Sequence, residues 1–179
     1  MSSAKLNQDQ VKIRHVEPSD AAAMQRVMQG RAAYSGTMQM PFVSVQAWQE
    51  RLAKYDANSA VLVAEFDGQI VGHAGLHLET KIRRRHVAYL GISVADEFAG
   101  RGIGDMLMVA LIDLADNWYN VLRLELTVFA DNLAARKLYL KHGFVQEGLL
   151  RGYVLRDGVL VDAWSMARYH PQPPTFAPA

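Results

Sequence analysis

Apolar and polar residues alternate along 11–15 (VKIRH), and near-continuous apolar runs fill 60–66 (AVLVAEF), 70–78 and 86–94; these patterns predict strands facing a core. Between the second and third lies Asp67-Gly68, a tight-turn signal that predicts a hairpin. Over 102–116 the period changes to that of a helix, with Leu107, Ala110, Leu111, Leu114 and Ala115 forming one buried stripe. A further strand is predicted at 121–129, and a last hairpin at 154–168 turns on Arg156-Asp157-Gly158. Three shorter helices complete the pattern. One follows Pro18-Ser19-Asp20, with Ser19 or Asp20 as cap and Ala22, Val27 and Met28 apolar. Another spans 45–55 behind Ser44, with Trp48 and Leu52 one turn apart. The last starts at Asp131-Asn132 and runs to His142, where Gly143 stops it. The stretch 30–45 is expected to be irregular, and Gly91 predicts a bulge or a close backbone approach inside its strand.

This order of strands and helices predicts an α/β or α+β sandwich in a single domain over 11–169. The segments 1–10 and 170–179, the latter rich in proline, are expected to be flexible tails. A chain of 179 residues can bury a full core, and its formal net charge of +1 gives no general attraction to nucleic acid or anionic membrane. No apolar run reaches the roughly 18 residues of a membrane span, and the polar start does not resemble a signal peptide, so a cytoplasmic location is expected. The chain has no cysteine, which removes disulfides, thiolate metal sites and a cysteine nucleophile. GxxxxGK[ST], GxSxG and HExxH are absent. No metal is expected: His73 and His77 share a strand face but sit too far apart for one ion.

Candidate chemistry centres on Phe98-Ala99-Gly100-Arg101-Gly102-Ile103-Gly104-Asp105, at the turn from a strand into the long helix. Glycines let the backbone approach an anion, unpaired N–H groups point outward, and the helix dipole favours negative charge there. The turn therefore suits a phosphate ligand.

About thirty residues downstream stands Asn-x6-Tyr-x3-Gly-Phe, formed by Asn132, Tyr139, Gly143 and Phe144. Together with the turn and the order of elements, it resembles the GNAT superfamily of acyl-CoA-dependent N-acyltransferases. The resemblance covers roughly 11–168 and is greatest to bacterial L-amino acid N-acetyltransferases acting on aromatic amino acids and methionine. It implies a mixed, mostly antiparallel sheet of about seven strands with flanking helices, splayed at the cofactor site. It implies acetyl-CoA as co-substrate, a small-molecule amine as acceptor, and a homodimer paired through the last strands. The family's pyrophosphate motif falls on 99–104, with Ala99 where Gln or Arg is usual. By resemblance, Gly100, Arg101, Gly102, Ile103, Gly104 and Asp105 belong to the cofactor site, with Ile92, Ser93 and Val94 on the splayed strand and Asn132 and Ala135 on the helix.

Acetyl transfer to an amine needs a neutral amine, donors for the developing oxyanion and a proton for the departing thiolate. Val94 N–H is the expected oxyanion donor. The resemblance makes Tyr139 the general acid, and a phenol near pKa ~10 lies close enough to a thiol at ~8.5. Glu125 is the first candidate base; alternation puts it on one face with Thr127 and Phe129, and its ordinary reading is a surface carboxylate paired with arginine. His73, His77 and His86 remain alternatives. Met38, Met40, Pro41, Phe42 and Trp48 either line a substrate pocket or form a core under a loop. Lys81-Ile82-Arg83-Arg84-Arg85 reads as a solvated hairpin tip, or as an anion contact. The expected activity is direct transfer to the α-amine of an L-amino acid. The alternatives are a protein N-terminal or polyamine acetyltransferase and, in another class, a non-catalytic acyl-CoA-binding regulatory module.

Overall fold

The computed structural model describes residues 5–175 and forms one seven-stranded sheet in the order β1-β2-β3-β4-β5-β7-β6. The strands are β1 (Val11–His15), β2 (Ser59–Phe66), β3 (Gln69–Leu78), β4 (Val87–Val94), β5 (Arg123–Phe129), β6 (Val145–Arg156) and β7 (Val159–Tyr169). Every neighbouring pair is antiparallel except β4 and β5. That exception follows from connectivity, because the long helix α4 (Ile103–Asn117) carries the chain from the end of β4 back to the start of β5.

Alternation in the strands sorts side chains to two cores. Ala60, Leu62, Ala74, Leu76, Ala88 and Leu90 face α4, whose Leu107, Met108, Leu111 and Ala115 are fully buried against them. On the opposite face, Val61 and Val63 pack with Met24 and Val27 of α1 (Ala21–Val27) and with Trp48 and Leu52 of α3 (Val45–Leu52). Both aspartate-glycine turns hold two successive residues in the left-handed region, Asp67 at φ 51° with Gly68 at 72°, and Asp157 at 51° with Gly158 at 78°. This conformation matches the twist of a two-residue hairpin.

Several local expectations are corrected. Ser44 caps α3 by accepting from Ala47 N–H at 3.1 Å, but the helix ends at Leu52. Asp20 makes no side-chain cap to α1. Its carboxylate instead takes a bidentate pair from Arg14 at 2.7 and 3.0 Å and accepts from Glu17 N–H. The stretch expected to be irregular contains a short helix, α2 (Arg31–Ser35). Two register shifts, at Gln146/Gly148 and Leu150/Val154, break the alternation of β6, and sequence periodicity therefore missed its first half. Gly91 carries no bulge; its register with Gly75 runs unbroken.

Parts of the expected tails are built into the domain, and 1–4 and 176–179 lie outside the described residues. Leu6 is buried in the α4-side core, and its N–H donates to Arg101 C=O at 3.0 Å. His170 N–H donates to Leu122 C=O. Leu6→Ala is therefore expected to lower the unfolding free energy by about 2 kcal/mol. Urea denaturation checks this, and an unchanged midpoint would return Leu6 to a loose tail.

Candidate active site

The parallel ladder between β4 and β5 is short, pairing only Val87, Ala88 and Tyr89 with Arg123, Leu124 and Glu125. Beyond it the strands part while their outer ladders continue, β4 on β3 as far as Val94 and β5 on β7 as far as Phe129. His86 C=O accepts from Leu122 and Arg123 N–H on the β5 side, whereas Val87 C=O and Ala95 N–H bond to the β3 side. Successive residues of a strand turn their main-chain groups to opposite edges. Ile92 and Val94 therefore present N–H and C=O to the gap, with no ladder to receive them. Strand edges are otherwise paired or covered, and an open one in mid-sheet is a place for a ligand backbone.

The glycine turn lies just after the parting strand. Gly100 has φ 76° and Gly102 φ 92°, conformations that an L side chain adopts only with strain. Gly102 precedes the first turn of α4, and Asp105 and Met106 N–H return to its C=O. Among the described residues, the N–H groups of Gly102, Ile103 and Gly104 have no main-chain acceptor. They form the open donor set of a helix start. Arg101 stacks on Phe66 and Phe98, 5.3 and 5.2 Å from the ring centres, and its Nε is enclosed without a partner. Asp105 points elsewhere. Its carboxylate is bound by Lys141 at 2.6 Å and His142 at 2.7 Å, tying α4 to the end of α5 (Leu133–Lys141).

Asn132 caps α5 by accepting from Ala135 N–H at 3.1 Å, which leaves its amide NH₂ for another partner. Tyr139 is buried, with its ring edge-on to Phe144 at 5.8 Å. Its hydroxyl bonds to no described residue, yet it is not among the fully enclosed polar atoms, so the oxygen reaches open space. Burial pushes this hydroxyl up to about 12. It is a weaker acid than a free phenol.

A cavity of about 350 Å³ opens on the α1–α3 face, and β4 contributes Gly91, Ile92 and Ser93 to its wall. Gly75 and Gly91, paired across β3 and β4, leave its floor bare. A Cβ at Gly75 would stand 3.0 Å from His77 Nε2, so that nitrogen occupies the space a side chain would fill. His77 Nδ1 is bonded to Ser59 Oγ at 3.1 Å. Burial lowers the His77 pKa despite the opposing charge of Asp56. His73 is lowered more, to about 4, by burial and then by the nearby charge of Arg51, and its Nε2 is enclosed without a partner. His86 is exposed at the foot of β4.

Of the residues singled out between 34 and 48, only Trp48 lines the cavity. Met38 and Met40 are exposed, and Phe42, at φ 62°, is fully exposed. The wall is made instead by Thr37, Gln39, Arg51 and Tyr55, whose spacing follows no single periodicity.

Glu125 is not in that wall. One carboxylate oxygen accepts from Arg123 at 2.6 Å and the other from Arg84 at 2.8 Å. Burial alone would raise its pKa, but these bonds outweigh it and hold the carboxyl below its usual range. The basic loop is thereby explained in part: Arg84 also bonds Tyr89 Oη and pairs with Glu79, fastening the β3–β4 connection to β5. Among the described residues, no group of three or more His, Asp or Glu could hold a metal ion, and no helix is long and apolar enough to cross a membrane.

A strand parted from its neighbour beside a glycine-rich helix start can hold an extended ligand ending in an anionic group, and comparison with known proteins identifies the class as acyltransferase. The acetyltransferase (GNAT) family model matches residues 30–144, and the chain belongs to that family. It is 43% identical over 159 residues to the L-amino acid N-acetyltransferase AaaT of Escherichia coli (strain K12), covering 89% of this chain and 98% of that protein. The ribosomal-protein-alanine N-acetyltransferase from Brucella melitensis superimposes with a TM-score of 0.80 at 27% identity, over 88% of this chain and 99% of that one. The spermidine N-acetyltransferase from Vibrio cholerae, solved with CoA and spermine, shares the fold at a TM-score of 0.81 and 24% identity, over 91% and 97% of the two chains. The protein is an N-acetyltransferase of this family.

His73 gives a pH test of the cavity wall. Its folded pKa of about 4 lies below the unfolded value of about 6.5, so the unfolded chain binds more protons between them. Its contribution is therefore present above pH ~6.5 and is lost as pH falls towards ~4, by about 3 kcal/mol. Denaturant titrations between pH 7 and 4.5 are expected to fall more steeply for the wild type than for His73→Asn; parallel slopes would show that His73 titrates normally.

Proposed function

We propose that the protein transfers acetyl from acetyl-CoA to the α-amine of a free L-amino acid with an aromatic or methionine-like side chain. One observation carries this reading. Ile92 and Ser93 line the cavity on one face of β4, while Ile92 and Val94 turn main-chain groups into the gap beside it. A donor held in the gap and an acceptor held in the cavity then meet across a single strand.

The residues present suit the cofactor. The unpaired N–H groups of Gly102, Ile103 and Gly104 and the stacked Arg101 would hold a pyrophosphate, with Gly100 shaping the turn. Ile92 and Val94 would pair with the amide-bearing arm as a strand partner would, and Asn132, beside Ala135, would offer it the free amide NH₂. Ser93 faces the acceptor side, and Asp105 acts by fixing the helix start rather than by contact. Bound acetyl-CoA supplies a thioester, whose C–S bond breaks as the C–N bond to the amine forms.

Val94 N–H is directed to donate to the acetyl oxygen as negative charge gathers there. The base is moved from Glu125, whose carboxylate is fully engaged, to His77. With Nδ1–H donating to Ser59 Oγ, His77 Nε2 carries its lone pair over Gly75 and takes the ammonium proton directly or through water. Tyr139 Oη donates its proton to the departing sulfur. The exposed apolar residues of the last hairpin, Leu155 on the edge strand β6 and Val159 and Leu160 on β7, suit a second copy of the chain as partner.

Thiol release from acetyl-CoA, assayed across amino acids, spermidine and a peptide N-terminus, tests the acceptor. Aromatic amino acids and methionine are expected to turn over fastest, and preference for either of the other two would replace this reading. Tyr139→Phe is expected to lower kcat about 10²-fold with acetyl-CoA affinity intact. Gly102→Ala, strained at φ 92°, is expected to do the reverse, weakening acetyl-CoA binding about tenfold in calorimetry with a smaller effect on kcat.

A further inference from the structure

Arg51 is the charged residue in the cavity wall, where the remaining polar groups are Thr37, Gln39, Ser93 and the ring groups of Trp48, Tyr55 and the two histidines. Among the described residues, no aspartate or glutamate lines the cavity. Both histidines are held below their ordinary pKa and are neutral near pH 7. The wall therefore carries one positive charge with no negative charge to balance it.

The guanidinium is held in place by neutral contacts. Its carbon lies 4.5 Å from the centre of the buried Trp48 ring, one turn back along α3. Its Nη1 donates to Gln39 Oε1 at 2.7 Å. Among the described residues it forms no ion pair, although Arg14, Arg84, Arg123, Arg156 and Arg168 each do. Stacking on a ring occupies the face of the fork and leaves its edge free, and Nε and Nη2 have no hydrogen-bond partner among the described residues. A half-buried guanidinium with two free donors in one plane fits a carboxylate better than any other common group.

We infer that Arg51, positioned by Gln39 and Trp48, anchors the α-carboxylate of the acceptor, so that the cavity selects free α-amino acids over amines lacking that acid. This rests on reading the cavity as the acceptor site. An α-amino acid carries its carboxylate carbon two bonds from the amine, which brings the negative charge in with the nucleophile. A polyamine brings further positive charge towards Arg51, and a peptide N-terminus has an amide where the carboxylate would be. The anchor thus gives specificity through attraction and through repulsion of competitors.

The test uses the full chain with L-phenylalanine and L-phenylalaninamide as paired acceptors. The wild type is expected to favour the acid over the amide about 100-fold in kcat/KM. In Arg51→Met that ratio is expected to fall to near one, with the loss on the acid falling mainly in KM, and Arg51→Lys is expected to restore part of it. Calorimetric binding of L-phenylalanine without cofactor should weaken in parallel in Arg51→Met, while far-UV circular dichroism stays that of the wild type. If Arg51→Met does not fold, Arg51→Lys and Arg51→Gln carry the comparison. A variant that keeps the wild-type ratio, or a wild type that uses acid and amide equally, overturns the anchor while acetyl transfer stands. A wild type that acetylates none of the amines overturns the acetyl-transfer reading and the anchor with it.

Discussion

The parting of β4 from β5 is the constraint on which the rest of this molecule depends. A sheet is stable because its inner strands satisfy their main-chain groups on both sides, and here one inner strand leaves that pattern after three residue pairs. The cost is bearable because the two strands are held from outside, β4 by its full register with β3 and β5 by its full register with β7. Below the parting, Glu79, Arg84, Glu125, Arg123 and Glu147 form a chain of ion pairs from the β3–β4 connection across β5 to β6. These groups are partly exposed, so each pair is weak by itself. Their arrangement matters more, since it fastens the strands together where the ladder ends.

Everything placed around the gap answers to it. The glycine turn stands at one end, where α4 begins, and Tyr139 reaches the α4-side core beneath it. The cavity opens on the other face, and its bare floor exists because Gly75 and Gly91 sit side by side in register. Gly91 thus has a different use from the bulge its position suggested. A side chain there would stand in the cavity, and a side chain at Gly75 would meet His77.

The same geometry divides the charged residues by role. Glu125 looked like a proton acceptor by its face of the strand, but two guanidinium groups take both of its oxygens. Arg84 looked like part of a solvated basic run, but it is tied to Glu125, while Lys81, Arg83 and Arg85 remain exposed. Arg51 sits in a polar helix segment whose spacing marks no site, yet it is the cation in the cavity wall and pairs with no acid among the described residues. Which charges are spent on the fold and which are kept for a ligand is a matter of pairing across strands far apart in the chain.

The elements, the two aspartate-glycine hairpins, the glycine-rich helix start and the Asn132–Tyr139–Gly143 frame were legible in the amino-acid sequence. Each is set by local rules: side-chain period, turn residues that tolerate positive φ, and capping side chains a few residues from the groups they bind. The first half of β6, the short helix α2, the burial of Leu6 and the members of the cavity were not legible. Register shifts erase the period of β6, and the cavity gathers Gln39, Arg51, His77 and Gly91 from separate elements onto one sheet face. Sequence by itself determined most of the strands and helices and the glycine-rich start of α4, because those depend on neighbours along the chain. Tertiary structure alone decided which residues line the cavity and which carboxylates are already taken, because those depend on neighbours across the sheet.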